Sequence, residues 1–270
     1  MKIKFEKGDS FLHGLNPVTK LLALVVYSIS VFMFDSLEIL IASFLCMLIL
    51  VASVRSSSLW SFIRSRFIIT FALLVFVIQI IFTRGGDVFF SVPLIIFTID
   101  VTMLGVLSGA VVALRFITII IASAIFVATT EGNELAYSLM RAGLPYRFGF
   151  MLVTAIRFIP VFESESSTVI NAQRARGLDI DSGGIKGVIK SIRYTMLPLV
   201  VSALSKVDAL VISMEGRAFG YKRTRTFTRK SRFRARDILI ITFSAIIFIV
   251  LVLNMWFGWF VLPQLEIYNN

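Results

Sequence analysis

Five long apolar runs, separated by short polar breaks, account for most of the chain outside one region. They cover Leu21–Phe34, Ile39–Val54, Phe67–Phe82, Val101–Ala128 and Ile238–Phe260, and only Arg115 interrupts the fourth. A helix needs about 20 apolar residues to cross a bilayer, and a soluble core cannot hold several such runs. The pattern predicts an all-α, polytopic membrane protein with about five transmembrane helices, four of them at roughly 20–34, 39–54, 67–82 and 101–128. The break at Asp35–Glu38 is a short acidic turn, and Arg55–Arg66 is expected to be a basic loop. The longer break at 83–100 contains an apolar stretch, Phe89–Ile99, expected to lie along the membrane or dip into it. Lys2, Lys4 and Lys7 precede the first run, but no small-residue cleavage pattern follows it. The run is therefore read as a span and not as a removed signal peptide.

The exceptional region is 129–236, where apolar stretches recur between polar residues. Breaks fall at Gly143, Pro145, Gly177, Gly183-Gly184 and Gly220. Taken as helix ends, they predict helices at about 131–142, 146–177 and 185–219. The last two would each be about 45–50 Å long at 1.5 Å per residue. The chain thus divides into a membrane domain (1–128), a module of long amphipathic helices (129–236), and a last span with its tail (237–270).

Charge supports this division and sets the topology. Although 57% of residues are hydrophobic, the net charge is +11. Arg141 to Arg236 holds 18 Lys plus Arg against 6 Asp plus Glu, a net +12; the remainder holds 9 against 10. Cytoplasmic loops collect Lys and Arg, which places the N-terminus, 55–66 and 129–236 in the cytoplasm and 35–38 and 83–100 outside. Membrane topology explains the basicity without nucleic acid as a partner. The run from Lys222 to Arg236 is read as attraction to anionic lipid.

Candidate chemistry is sparse. Cys46, the single cysteine, is expected to be buried and inert, and His13, the single histidine, leaves no cluster for a metal. Glu163 with Glu165 and Asp179 with Asp181 have i,i+2 spacing, which points each pair to different faces. They are expected to be solvated or partner-facing, so no catalytic residue, metal site or cofactor is assigned. Gly184–Ser191 mimics a phosphate-binding loop but has Ile189 before Lys190 where glycine is needed. Gly105, Gly109 and Ala113 form a small-xxx-small ladder suited to close helix approach. Arg115, a charge inside a span, is open to a functional role, to snorkelling, or to an internal partner.

The two long helices end alike, in Gln173-Arg174-Ala175-Arg176-Gly177 and in Glu215-Gly216-Arg217-Ala218. An arginine in the last turn is favoured by the helix dipole, and glycine suits the residue just past the end. The same tip, flanked by small residues, could also enter a groove on another protein, where the guanidinium fork meets carboxylates or carbonyls.

These residues resemble the T component of energy-coupling factor transporters, the ABC-type importers of vitamins and metal ions. Ala175-Arg176-Gly177 matches the family's first docking tripeptide. Gly216-Arg217-Ala218, 41 residues on, keeps the arginine but ends in alanine where the family has glycine. The opening Leu15-Asn16-Pro17-Val18-Thr19-Lys20-Leu21 and the stretch Glu131-Gly132-Asn133-Glu134-Leu135 into Leu144-Pro145 are also similar to the family. The resemblance implies a plasma-membrane subunit of a prokaryote that is not itself an enzyme. Its implied partners are two ABC-type ATPase subunits, docked at the two tripeptides with Arg174 and Glu215 in support, and a substrate-binding S component. The Gly105–Ala113 ladder would then serve either internal packing or S-component contact. A membrane-embedded enzyme would need clustered acids or a nucleophile with its base. A self-contained carrier usually shows a repeat and broken spans. The chain offers none of these, and its cargo would be chosen by a different chain.

Overall fold

The structure, a computed structural model, describes residues 5–6, 8, 10–34, 36–54, 56–83, 88–93, 98–177, 185–221 and 234–257. The basic run at 222–233, Asp179, Asp181 and Gly183-Gly184 lie outside the described residues. Nine helices and one hairpin occur among those described. They are α1 (Pro17–Met33), α2 (Leu37–Val54), α3 (Ser57–Ile63), α4 (Arg66–Phe82), β1 (Val88–Pro93), β2 (Thr98–Thr102), α5 (Met103–Thr129), α6 (Gly132–Arg141), α7 (Tyr146–Ala175), α8 (Ile185–Glu215) and α9 (Ala235–Phe257). Among the described residues, four stretches are long and apolar enough to cross a membrane: Leu37–Val54, Ser57–Phe82, Met103–Thr129 and Ile192–Glu215, with Pro17–Met33 a shorter apolar helix. The fourth of these belongs to the long-helix region and not to the apolar runs first counted as spans.

The chain forms two compact units, one of Met1–Ser138 with Ser231–Asn270, the other of Leu139–Lys230. In the first unit α5 is the central element and packs on α1, α2, α3 and α4, while α9 packs on α1. Its most apolar window is 39% buried, against 17% and 6% for the windows in α2 and α4. Val51, Val54, Leu59, Ile121, Ala124, Ile125 and Ala128 make one core, and Val31, Leu40 and Val111 another. With lipid as solvent, such packing rests on close fit and polar contacts more than on water exclusion. The small-residue ladder supplies the fit. A Cβ on Gly105 would stand 3.3 Å from the Ile80 carbonyl oxygen, and one on Gly109 3.1 Å from that of Phe76, both on α4. Ala113 is buried on the same helix.

Three features differ from the sequence expectation. The basic loop at 55–66 contains α3, started by Ser56, whose hydroxyl accepts from the Leu59 N–H at 3.2 Å. The break at 83–100 contains an antiparallel hairpin pairing Ser91 with Asp100 and Pro93 with Thr98, which lets backbone groups satisfy one another. Thr102, its last residue, caps α5 by accepting from the Gly105 N–H at 3.0 Å. Cys46 is exposed on α2 and not buried. His13 is held structurally, with Nδ1 against the Ser10 hydroxyl at 2.7 Å and Nε2 against the Glu6 carbonyl at 2.9 Å. A carbonyl only accepts, so the proton sits on Nε2.

Candidate partner-docking helix ends

The second unit is built on α7 and α8, which run antiparallel. Gln173 Nε2 donates to the Tyr194 carbonyl at 3.4 Å, and the Ser202 hydroxyl donates to Glu165 Oε1 at 2.7 Å. Phe150 stacks obliquely on Phe219 with centroids 4.6 Å apart. Lys206 completes the middle contact with an ion pair to Glu165 at 3.0 Å. The Ser202 and Lys206 hydrogen bonds hold the Glu165 carboxyl below its ordinary value of 4.5. Glu165, expected to be solvated or partner-facing, is thus an internal tie between the two helices. Pro160 and Pro198 lie inside α7 and α8, and each removes one backbone hydrogen bond from its helix.

The two arginine-bearing ends share one closing bond and a left-handed residue after the arginine. At the end of α7 the Arg176 N–H reaches the Ala172 and Gln173 carbonyls at 3.2 and 3.1 Å, and the Gly177 N–H reaches Arg174 at 3.0 Å. Gly177 has φ +81°. At the end of α8 the Ala218 N–H reaches Glu215 at 2.9 Å and the Phe219 N–H reaches Met214 at 3.0 Å. That pair of bonds is the Schellman closure, which requires a left-handed residue just past the helix. Here the residue is Ala218, with φ +52°. In both cases the arginine is followed by a left-handed residue. Arg174, Ala175, Arg176, Gly177, Glu215, Gly216, Arg217 and Ala218 are all exposed.

Antiparallel pairing does not bring the tips together. In the Gln173–Tyr194, Glu165–Ser202 and Phe150–Phe219 contacts the paired residue numbers add to 367–369, so Arg176 stands level with about position 191. Arg217 is 26 residues further along, about 39 Å at 1.5 Å per residue. Between them α8 exposes Met196, Val200, Leu204, Val207 and Val211, whose i, i+4, i+8 spacing makes one apolar stripe.

Comparison with known proteins gives the family. Residues 8–227 match the family CbiQ, described as "Cobalt transport protein". The chain belongs to this family. A relative named energy-coupling factor transporter transmembrane protein EcfT, from Streptococcus equi subsp. equi, is 30% identical over 260 residues, covering 92% of this chain and 94% of its own. The Lactococcus lactis subsp. cremoris protein of the same name is 30% identical over 265 residues, covering 94% and 96%. That of Bacillus subtilis is 29% identical over 248, covering 88% and 91%. This chain is accordingly a membrane component of the energy-coupling factor type. The family match spans both helix ends and the opening at Asn16–Lys20.

Sequence patterns alone did not mark the polar residues that tie these elements together. Glu165 looked like half of an acid pair, and Lys20 like the border of a span. The signal available for Lys20 was its place in an opening similar to the family's.

Proposed function

We propose that this chain is the coupling subunit of an importer of vitamins or metal ions in a prokaryotic plasma membrane, with its N-terminus in the cytoplasm. Each arginine-bearing helix end seats in one ABC-type ATPase subunit, and the motion of the ATPase pair is passed to a substrate-binding S component. The observation that supports this reading is the pair of equivalent arginine ends at opposite extremes of one antiparallel helix pair. That spacing suits two subunits better than one. Arg176 and Arg217 supply guanidinium forks, stronger toward a carboxylate than neutral donors. Ala175, Gly177, Gly216 and Ala218 keep the flanks small, and Arg174 and Glu215 add charge beside them. The exposed apolar stripe on α8 suits a hydrophobic partner such as the S component, since large exposed apolar patches mark interaction sites. The basic run before α9 suits anionic lipid.

Co-purification with a co-expressed ATPase pair tests the reading. Arg176→Glu is expected to lose most of the ATPase recovered with the wild type, while the variant itself stays in the membrane. Full recovery of both ATPases and full transport with Arg176→Glu would sink it. Purified alone, the chain is expected to release no phosphate from ATP, and turnover without partners would count against a pure coupling role.

A further inference from the structure

The helices that flank the Leu139–Lys230 unit in sequence, α5 and α9, are both tied to one short turn near the N-terminus. On the departing side α5 finishes at Thr129 and α6 starts at Gly132. The Lys20 ammonium donates to the Thr129 carbonyl at 2.8 Å in a buried site. A cation there complements the negative end of the α5 dipole. On the returning side α9 starts at Ala235, and Asp237 in its first turn is only 1% exposed. Its two carboxylate oxygens accept from the backbone N–H groups of Asn16 and Arg234, both at 2.8 Å. The Arg234 bond is the carboxylate half of a capping box. The Asn16 bond joins residues 221 apart in sequence. Asn16 in turn caps α1, its side chain accepting from the Val18 N–H at 3.0 Å. One turn of chain, 16–20, therefore ties the end of α5 to the start of α9. Burying a lysine and a carboxylate is costly, and here each is set against backbone groups that an apolar side chain would leave unpaired.

The geometry points to Lys20 and Asp237 as positioning residues that pin the end of α5 and the start of α9, the elements on either side of the 139–230 unit in sequence, to a common base. A displacement at the Arg176 and Arg217 ends then reaches the membrane helices as a concerted shift and is not lost in flexing of the attachments. This inference deepens the coupling reading and rests on it.

Spin labels at Ser61→Cys in α3 and Ala172→Cys in α7, in a Cys46→Ser background, report on the base. Pulsed electron paramagnetic resonance is measured on the full chain in lipid nanodiscs. In Lys20→Met and in Asp237→Asn the distance distribution is expected to broaden about two-fold as the attachments loosen, and Lys20→Arg is expected to restore it. Wild-type widths in both variants would overturn the proposal. If Lys20→Met is not recovered from the membrane, the near-isosteric Asp237→Asn decides alone. Loss of thermal stability without broadening would likewise make the cluster a structural one only and overturn it. In the complex with the ATPases, ATP plus vanadate is expected to shift the distance in the wild type but not in Lys20→Met, while ATP hydrolysis persists. A wild-type complex with no nucleotide-dependent shift would defeat the coupling reading, with the base still judged by widths in the isolated chain. An equal shift in wild type and Lys20→Met would defeat the base and spare the coupling reading.

Discussion

Ala218 carries a left-handed backbone, φ +52°, that ordinarily costs an L-residue about 1 kcal/mol or more relative to glycine. The closure by Ala218 and Phe219 N–H groups onto Glu215 and Met214 is what imposes it. Ala218→Gly is therefore expected to raise stability by about 0.5–1 kcal/mol, read from denaturant unfolding of the purified chain, with ATPase recovery unchanged. The converse substitution, Gly177→Ala, should cost about 1 kcal/mol through the backbone alone. A Cβ at Gly177 would meet nothing within 4 Å. The glycine-to-alanine departure from the family pattern is thus a change in strain at a position whose conformation is kept. Arg115 is settled at the same scale. Its Nη2 donates to the Phe34 carbonyl at the end of α1 at 2.7 Å, and its guanidinium lies 5.6 Å from the Phe32 ring centroid. It closes a helix end inside the bundle, as Lys20 does for α5. Three roles were open for it in the sequence, because nothing in a linear pattern says that the end of α1 meets the middle of α5. Arg115→Met is expected to destabilise the chain by about 1–3 kcal/mol, the loss of a half-buried hydrogen bond from a charged donor, measured by the same unfolding.

Among elements, those defined by long one-sided patterns were legible and the short ones were not. The apolar runs, the glycine and proline breaks and the helix ends follow from hydropathy and capping, so α1, α2 and α4–α9 fall within a few residues of expectation. The seven-residue α3 carries too few turns for a periodic signal, and only the Ser56 cap ahead of Leu59, Trp60 and Phe62 hinted at it. The hairpin was hidden by its apolar content, which reads equally as a membrane-lying loop. Side-chain partners across elements, such as Glu165 with Ser202 and Lys206, depend on the register of two helices that sequence spacing does not supply. Two predictions belong here. Gly109→Ala would place a Cβ 3.1 Å from the Phe76 carbonyl oxygen and 3.1 Å from its ring Cδ2. Backbone cannot yield as a side chain can, so α4 and α5 must part, an overpacking cost of about 1–3 kcal/mol visible as a lowered midpoint of thermal unfolding. The Glu165 tie should also be acid-sensitive. Its carboxyl is held below 4.5 in the folded chain by the Ser202 and Lys206 bonds. Its contribution is therefore complete above that value and is lost as the pH falls below it. Amide exchange in α7 and α8, corrected for its intrinsic pH dependence, should rise on acidification in the wild type. In Glu165→Gln it should already be raised at neutral pH and change little.

At the scale of the whole molecule, the module from Leu139 to Lys230 is an insertion between α5–α6 and α9, and its two exposed ends carry the proposed contacts. The tips are separated by about 39 Å along the helix axes and share no side-chain partner described in the structure. Effects at sites more than about 10 Å apart with no common partner generally add to within about 0.5 kcal/mol. Arg176→Glu and Arg217→Glu should accordingly weaken binding of the ATPase pair by amounts whose free energies sum in the double variant. Titrating the immobilised membrane subunit with purified ATPase pair, for the wild type, both single variants and the double variant, gives the four affinities required. A double variant no weaker than either single one would mean that the two ends serve one contact, and the division of the pair between opposite ends of α7 and α8 would have to be abandoned. Additive losses would instead fix the distance over which the two ATPases must grip this chain. An ATPase movement that changes their spacing would then have to be taken up by α7 and α8, whose Pro160 and Pro198 each leave one turn without its hydrogen bond.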